Sequence, residues 1–388
     1  MLKVGIISTI LGHGKILQDS GTALILLFFA LPNIEEIEVF TWEKDSEESI
    51  GLPEKVRVYP VYSPKKTFSA FEILRECLKS RSDKLIFNMM PTALGNSSIS
   101  NFIGLISPII LKRVFHRDVT VVYHNSIFTN DFVKLGYTGF LNVIRAKFLK
   151  IIEIKLFTSV DVLMLSRIYS ERIGQLVKDS RVEYLDLKFF QVLGTLQLNG
   201  KLSDEVLKVK ANIIPRILLF GSWGPQKDPS PVFKILRALR RSGIDFFLTV
   251  AGGVNQHFPE FKEYIDDAFT EYDDTIDRRI GYVAERELLD LFLETDLLLI
   301  NYNAPGGFSS VMSFGIFFNT YIIASDFEEF REQASTYERI KLCHIAAFEQ
   351  EIRMFIQEIH PKIAIRTIEI GTRVREMENT LSNILNRK

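Results

Sequence analysis

Cysteine is nearly absent: Cys77 and Cys343 stand far apart in 388 residues, with no CxxC spacing. That argues against a disulfide framework or a cysteine-based zinc site and fits a reducing compartment. The six histidines show no metal-ligand spacing, so no metal or other resident cofactor is expected. The apolar runs 23–31 and 102–111 fall short of the roughly 20 residues that span a bilayer. An excess of one charge is missing too. Lys plus Arg number 47 against 48 Asp plus Glu, so the total suggests no nucleic-acid partner. Internal repeats and low-complexity stretches are absent, as is the P-loop spacing around GHGK. The opening MLKVGIISTILG reads as strand and turn without a signal-peptide cleavage pattern. A cytoplasmic protein follows as the expectation, at most peripheral at the inner face of a membrane.

What is present is a normal globular balance, 47% hydrophobic and 24% charged, enough for two domains of about 150 residues each. Buried strands are expected at 3–8, 38–41, 56–61, 84–87, 119–123 and 162–165. Helices over 22–31, 71–78, about 98–114 and 141–157 alternate with them. Residues 200–214 are polar and mixed, after which the alternation restarts with strands at 216–220, 246–250, 279–283, 297–300, 321–324 and 340–344. Alternation of this kind predicts parallel sheets with crossover helices. The expected division is a first domain over 1–205, a second over 206–360, and a closing segment 361–388 whose helix returns to the first domain. Two consecutive halves of similar size would face one another across a cleft lined by the carboxyl ends of both sheets.

The most organised stretch is NYNAPGGFSSVMSFGIFFNTYIIASD, 301–326. A buried strand precedes it, Pro305-Gly306-Gly307 makes a turn, and Ser309 and Ser310 are good N-cap residues for a helix over 311–318. Free N–H groups and the positive end of a helix dipole suit such a turn to an anion; an ordinary strand-turn-helix unit has the same pattern.

Four segments of the second half, ILLFGSWGPQKD (217–228), FFLTVAGG (246–253), RIGYVAERELLDLFLETDLLLINY (279–302) and GGFSSVMSFGIFFNTYIIASD (306–326), occur in the order found in GT-B glycosyltransferases. Together they resemble the nucleotide-sugar domain of the retaining family 4. The first half is more weakly similar, through its glycine loop, DKLIFNMM, TVVYHN and SVDVLMLSRIYSE. The resemblance implies an α/β GT-B fold, two doubly wound Rossmann-like domains facing a central cleft. It implies a hexosyltransferase of glycan biosynthesis, moving a sugar from a nucleotide-diphosphate sugar to a glycan, lipid-linked or other hydroxyl acceptor. Retention of configuration and no obligatory metal are implied as well.

Carried over by position, the resemblance places Lys227 on the donor diphosphate, with Ser222 standing where the family has an arginine. Gly307, Ser309 and Ser310 would supply N–H and hydroxyl donors, while Gly252 and Val283 fall where the family holds the base and phosphates. The family's two glutamates, eight positions apart, correspond to Gly306 and Phe314, and phenylalanine cannot hold ribose hydroxyls. His124 matches the N-domain histidine near the transferring sugar, where an imidazole can donate to a hydroxyl or to developing charge; a structural hydrogen bond at a cleft edge is the alternative. Gly12 and Gly14 suit a loop that lets backbone approach a phosphate. Asn88, Asn125 and Ser166 sit at strand ends as loop residues. The helix over 141–157 mixes Val143, Ile144, Phe148, Ile151 and Ile152 with Arg145, Lys147, Lys150 and Lys155, so it suits either a membrane surface or a solvated crossover face. Two other readings of the chain stay open. One is a non-catalytic GT-B module binding a nucleotide sugar or a partner protein, and the other is a nucleotide-sugar epimerase.

Overall fold

The computed structural model describes residues 1–8, 20–42, 54–62, 70–89, 98–124, 126–128, 140–198, 206–255, 258–270, 276–281, 283–304 and 308–386. These form two compact units. The first takes in residues up to 128, 140–198 and those from Val374 onward; the second runs from 206 to Arg373.

In the first unit the order is β1 (Leu2–Ile7), α1 (Ser20–Phe29), β2 (Ile34–Trp42), β3 (Val56–Tyr62), α2 (Ala70–Lys79), β4 (Lys84–Met89) and α3 (Ser98–Arg113). It continues with β5 (Val119–Tyr123), α4 (Phe140–Ser159), β6 (Asp161–Met164), α5 (Arg167–Leu176), β7 (Val182–Tyr184) and α6 (Phe190–Leu198). The strands pair in parallel as β3-β2-β1-β4-β5-β6-β7. Helices cover the sheet, so β4 and β5 are buried along their whole length, as continuous apolar runs require in a parallel sheet. Ser166 caps α5, its side chain accepting from the Tyr169 N–H, so the strand-end serine is a helix cap.

The second unit contains β8 (Val206–Lys210), β9 (Arg216–Phe220), α7 (Ser230–Arg241), β10 (Phe247–Gly252), α8 (Phe261–Thr270), β11 (Ile276–Ile280), α9 (Glu285–Glu294) and β12 (Leu297–Ile300). After these come α10 (Ser310–Phe317), β13 (Tyr321–Ser325), α11 (Glu328–Gln333), β14 (Ile340–Cys343), α12 (Phe348–Met354), β15 (Ile365–Glu369) and α13 (Ile370–Asn386), of which the residues from Val374 belong to the first unit. Its parallel sheet has the order β11-β10-β9-β12-β13-β14. β11 begins three residues earlier than the apolar pattern suggests, because it is the edge strand and carries Asp277, Arg278 and Arg279. β8 and β15 form an antiparallel ribbon, pairing Val206 with Glu369 and Lys210 with Ile365. Arg366 of β15 is buried, donating to Thr320 Oγ1 at 2.9 Å.

The strand order reverses between β1 and β4 in one sheet and between β9 and β12 in the other. At such a switch the connections leave in opposite directions and open a crevice beyond the carboxyl ends of the strands.

Candidate functional site

The switch point of the first unit is furnished by Ser8 after β1, Asn88 near the end of β4 and His124 just after β5. Asn88 Nδ2 donates to Ser8 Oγ at 3.0 Å, which turns its Oδ1 toward His124 Nε2, 2.6 Å away. A carbonyl oxygen only accepts, so Nε2 carries the proton and Nδ1 is the accepting side of the ring. The His124 N–H donates to the Met89 carbonyl at 3.2 Å, and the ring centroid lies 6.3 Å from that of Phe190. Burial pulls the imidazole pKa down to about 4, so the ring is neutral near pH 7.

A residue the sequence reading passed over holds the chain on both sides of His124. Glu153 of α4 is fully buried. Its carboxylate accepts from Tyr123 Oη at 2.7 Å, Ser126 Oγ at 2.8 Å and the Ile127 N–H at 3.0 Å. Burial raises its pKa to about 7 against the pull of these donors. The one signal in the sequence is a lone acid in an otherwise basic and apolar helix.

The switch point of the second unit is built mainly from backbone. After β9 the chain runs through Ser222, which is exposed, to a 3₁₀ turn over Pro225–Lys227. After β12 it runs through Asn301 to Ala304. Side-chain amides lace these loops together: Gln226 Nε2 donates to Ala304 O, Asn303 Nδ2 to Pro225 O and Asn301 Nδ2 to Asp228 O, each at 2.9 Å. The Asn303 N–H adds a bond to Gln226 O at 2.8 Å. The Lys227 ammonium lies 4.5 Å from the Tyr302 ring centroid, a cation–π distance. Tyr302 is in turn held by Ser325 Oγ, which accepts from its N–H and donates to its carbonyl, both at 2.9 Å.

Gly252 ends β10 with φ +112°. A Cβ there would sit 2.0 Å from the Gly221 carbonyl oxygen. The next residue's carbonyl accepts from the Trp223 N–H at 2.8 Å, so the β9 and β10 loops travel together. Val283 is buried and lines a cavity of about 540 Å³ with Arg278, Arg279, Ile280 and Glu287.

Ser309 is the N-cap of α10, its hydroxyl accepting from the Met312 N–H at 3.3 Å. Gln333 of α11 brackets it, accepting from the Ser309 N–H at 3.1 Å and donating to its carbonyl at 2.7 Å. Ser309 is therefore buried and engaged, whereas Ser310, the first helical residue, is half-buried. Phe314 is fully buried with its ring centroid 5.0 Å from that of Phe292 and 6.2 Å from that of Phe318; that position packs the core. Gly12, Gly14, Gly306 and Gly307, with Asn125, lie outside the described residues.

The structure thus gathers Lys227, Gly252 and the Tyr302–Ala304 loop in the second unit, and Ser8, Asn88 and His124 in the first. Gln226, Asn301, Asn303, Tyr302 and Gln333 were not singled out by sequence. Among the described residues no group of three His, Cys, Asp or Glu is placed to hold a metal, and no helix is long and apolar enough to cross a membrane.

The sequence matches no protein-family model and no curated protein. The fold matches solved structures over nearly the whole chain. Sucrose-phosphate synthase from Thermosynechococcus elongatus is 13% identical with a TM-score of 0.64, over 98% of this chain and 95% of that one. The Anabaena protein HepE in complex with UDP-glucose is 12% identical with a TM-score of 0.62, over 99% and 100%. UDP-GlcNAc 2-epimerase from Methanocaldococcus jannaschii is 11% identical with a TM-score of 0.57, over 100% of both. At these identities the likeness is one of architecture, and the chain has the α/β fold of the GT-B proteins, each of its two units a doubly wound parallel sheet.

Proposed function

We propose that the protein is a glycosyltransferase that takes a sugar from a nucleotide-diphosphate sugar and passes it to a hydroxyl of a glycan or lipid-linked acceptor. The observation that carries this reading is the switch point of the second unit. There a lysine after β9, a glycine-permitted close approach at the end of β10 and the start of a helix after β12 all follow the carboxyl ends of neighbouring parallel strands. A leaving diphosphate develops negative charge, and a cation with fixed N–H dipoles is what stabilises it. The solved UDP-glucose complex of a protein with this fold adds support.

In the proposed reaction the bond from the sugar's anomeric carbon to the β-phosphate oxygen breaks. A bond from the same carbon to the acceptor oxygen forms on the same face, and the acceptor proton passes to the leaving phosphate. Lys227 binds the diphosphate, with N–H groups at the start of α10 beside it. A neutral His124 acts on the transferring sugar; with Nε2–H given to Asn88, its Nδ1 is suited to accept from a sugar hydroxyl. The donor is a substrate, no resident cofactor takes part, and the reaction belongs to the cytoplasm.

The test is a thermal-shift screen of nucleotide sugars, followed by mass spectrometry of products with acceptor pools. Turnover that extends an acceptor supports transfer. The buried Phe314 favours a second reading, a module that binds a nucleotide sugar without turning it over, because no carboxylate stands there for the ribose. Binding without any product would establish that reading, and a donor returned as its own epimer would establish an epimerase.

A further inference from the structure

Helix α4 has two faces. Ile152, Glu153, Leu156 and Phe157 are buried. On the opposite face Ile144, Phe148 and Ile151 recur at four- and three-residue steps, a single stripe of a 3.6-residue helix, and Ile154 follows at its margin. These side chains are exposed, Phe148 by 52% and Ile151 by 60%. A crossover helix whose outer face meets only water has no use for large apolar side chains in a row. Phe102 of α3 stacks on Phe148 at 5.4 Å. At the other end Arg113 donates to Thr158 O at 3.2 Å, and the exposed Val114 and Phe115 follow it.

Among the described side chains of α4 the exposed charges have one sign. Lys147, Lys150 and Lys155 flank the stripe and are exposed. Among the residues of α3 and α4 the basic ones are Lys112, Arg113, Arg145 and these three lysines. The only acid is Glu153, which is buried beneath His124's loop. Lys112 has partners of its own in Asp118 and Asp161. A second copy docked symmetrically through the stripe would set lysines against lysines. An anionic bilayer instead takes the apolar stripe at the acyl boundary, while the lysine stems lie along it and their ammonium groups reach the headgroups.

We propose that the outer face of α4, extended by the end of α3, is a docking surface for anionic lipid membranes, lying in the plane of the interface. The surface itself is independent of the transferase reading. With that reading it selects the acceptor class, a hydroxyl carried on a lipid. Apolar insertion and lysine attraction to anionic lipid act together, so removing either weakens binding.

The experiment is flotation of the full chain with vesicles of phosphatidylcholine, with and without phosphatidylserine, at low and high salt. Binding is expected only with phosphatidylserine, and it should fall about tenfold or more at high salt as the headgroup field is screened. Ile151→Glu and the triple variant Lys147→Gln, Lys150→Gln, Lys155→Gln should each weaken it by about tenfold or more, with circular dichroism unchanged because all four sites are exposed. No binding to phosphatidylserine vesicles overturns the proposal, as does binding insensitive to both variants and to salt. A dimer in solution that Ile151→Glu dissociates, with no vesicle binding, assigns the stripe to a second copy and overturns it as well. Because no donor or acceptor enters this assay, its failure leaves the transferase reading standing, and a donor screen without turnover leaves the surface standing.

Discussion

The two units offer the same architectural place, a switch point of a parallel sheet, and furnish it in opposite ways. In the first unit it holds a hydrogen-bonded chain, Ser8 and Asn88, that ends on a titratable ring, the neutral His124, braced by the buried Glu153. In the second it holds backbone and amides, with one ammonium over Tyr302 and a glycine that lets two loops close on each other. Groups whose protonation is tuned by burial suit chemistry on a sugar, whereas fixed dipoles and a cation suit a diphosphate. The division of labour proposed here follows from that contrast: the second unit binds the nucleotide, and the first acts on what is transferred.

The sharpest way to break the contrast is to remove the imidazole. With any donor and acceptor pair that the wild type turns over, His124→Ala should lower kcat by about 10- to 1000-fold, the scale of a lost transition-state hydrogen bond or proton transfer. Full turnover in that variant would take His124 out of the mechanism.

Gly252→Ala attacks the other side. Its methyl would lie against the Gly221 carbonyl oxygen at positive φ, and backbone cannot swing away as a side chain can. Destabilisation of about 3 kcal/mol or more is expected in chemical denaturation. A stable variant with native affinity for nucleotides would show that the close approach is dispensable.

Glu153 sharpens the contrast through pH. Its pKa rises from the usual 4.5 to about 7 on folding, so the folded state holds a proton that the unfolded chain has released. Stability from this group is full below pH 4.5 and is lost as pH rises through 7, by about 3 kcal/mol in total. His124, with its pKa lowered to about 4, acts in the other direction. Its contribution is full above the unfolded value of about 6.5 and is lost as pH falls through 4. Denaturation across this range should show Glu153→Gln removing the loss toward neutral pH and His124→Ala the loss toward acid; equal slopes in wild type and variants would contradict both assignments. The smallest effect is the helix cap: Ser309→Ala should cost about 1 kcal/mol, and no change in thermal stability would mean that Gln333 alone holds the turn.

The sequence made the fold legible wherever apolar runs were continuous. Leu297–Ile300 and Tyr321–Ser325 lie where the pattern puts them because both faces of those strands are covered. The pattern failed where burial is one-sided. The edge strand Ile276–Ile280 is largely charged, β15 alternates buried and exposed positions and β8 half-buried and exposed ones, and their pairing partners are distant in the chain. At the candidate sites, His124 and Lys227 were reached through the resemblance to a known family, with His124 also marked by its place after a buried strand. Glu153 and Gln333 were not, because each acts on a loop 20 or more residues away. Nothing local marks a carboxylate or amide as the partner of a distant backbone.

The division of labour is tested most directly by isothermal titration of nucleoside diphosphates into the wild type, Lys227→Ala and His124→Ala. Affinity should fall about 10- to 100-fold in the lysine variant, the scale of a lost charge-assisted bond to phosphate. It should stay within about threefold in the histidine variant, as for a group that meets only the transferring sugar. Unchanged affinity in Lys227→Ala for every diphosphate the wild type binds, or a large loss in His124→Ala, would contradict the account.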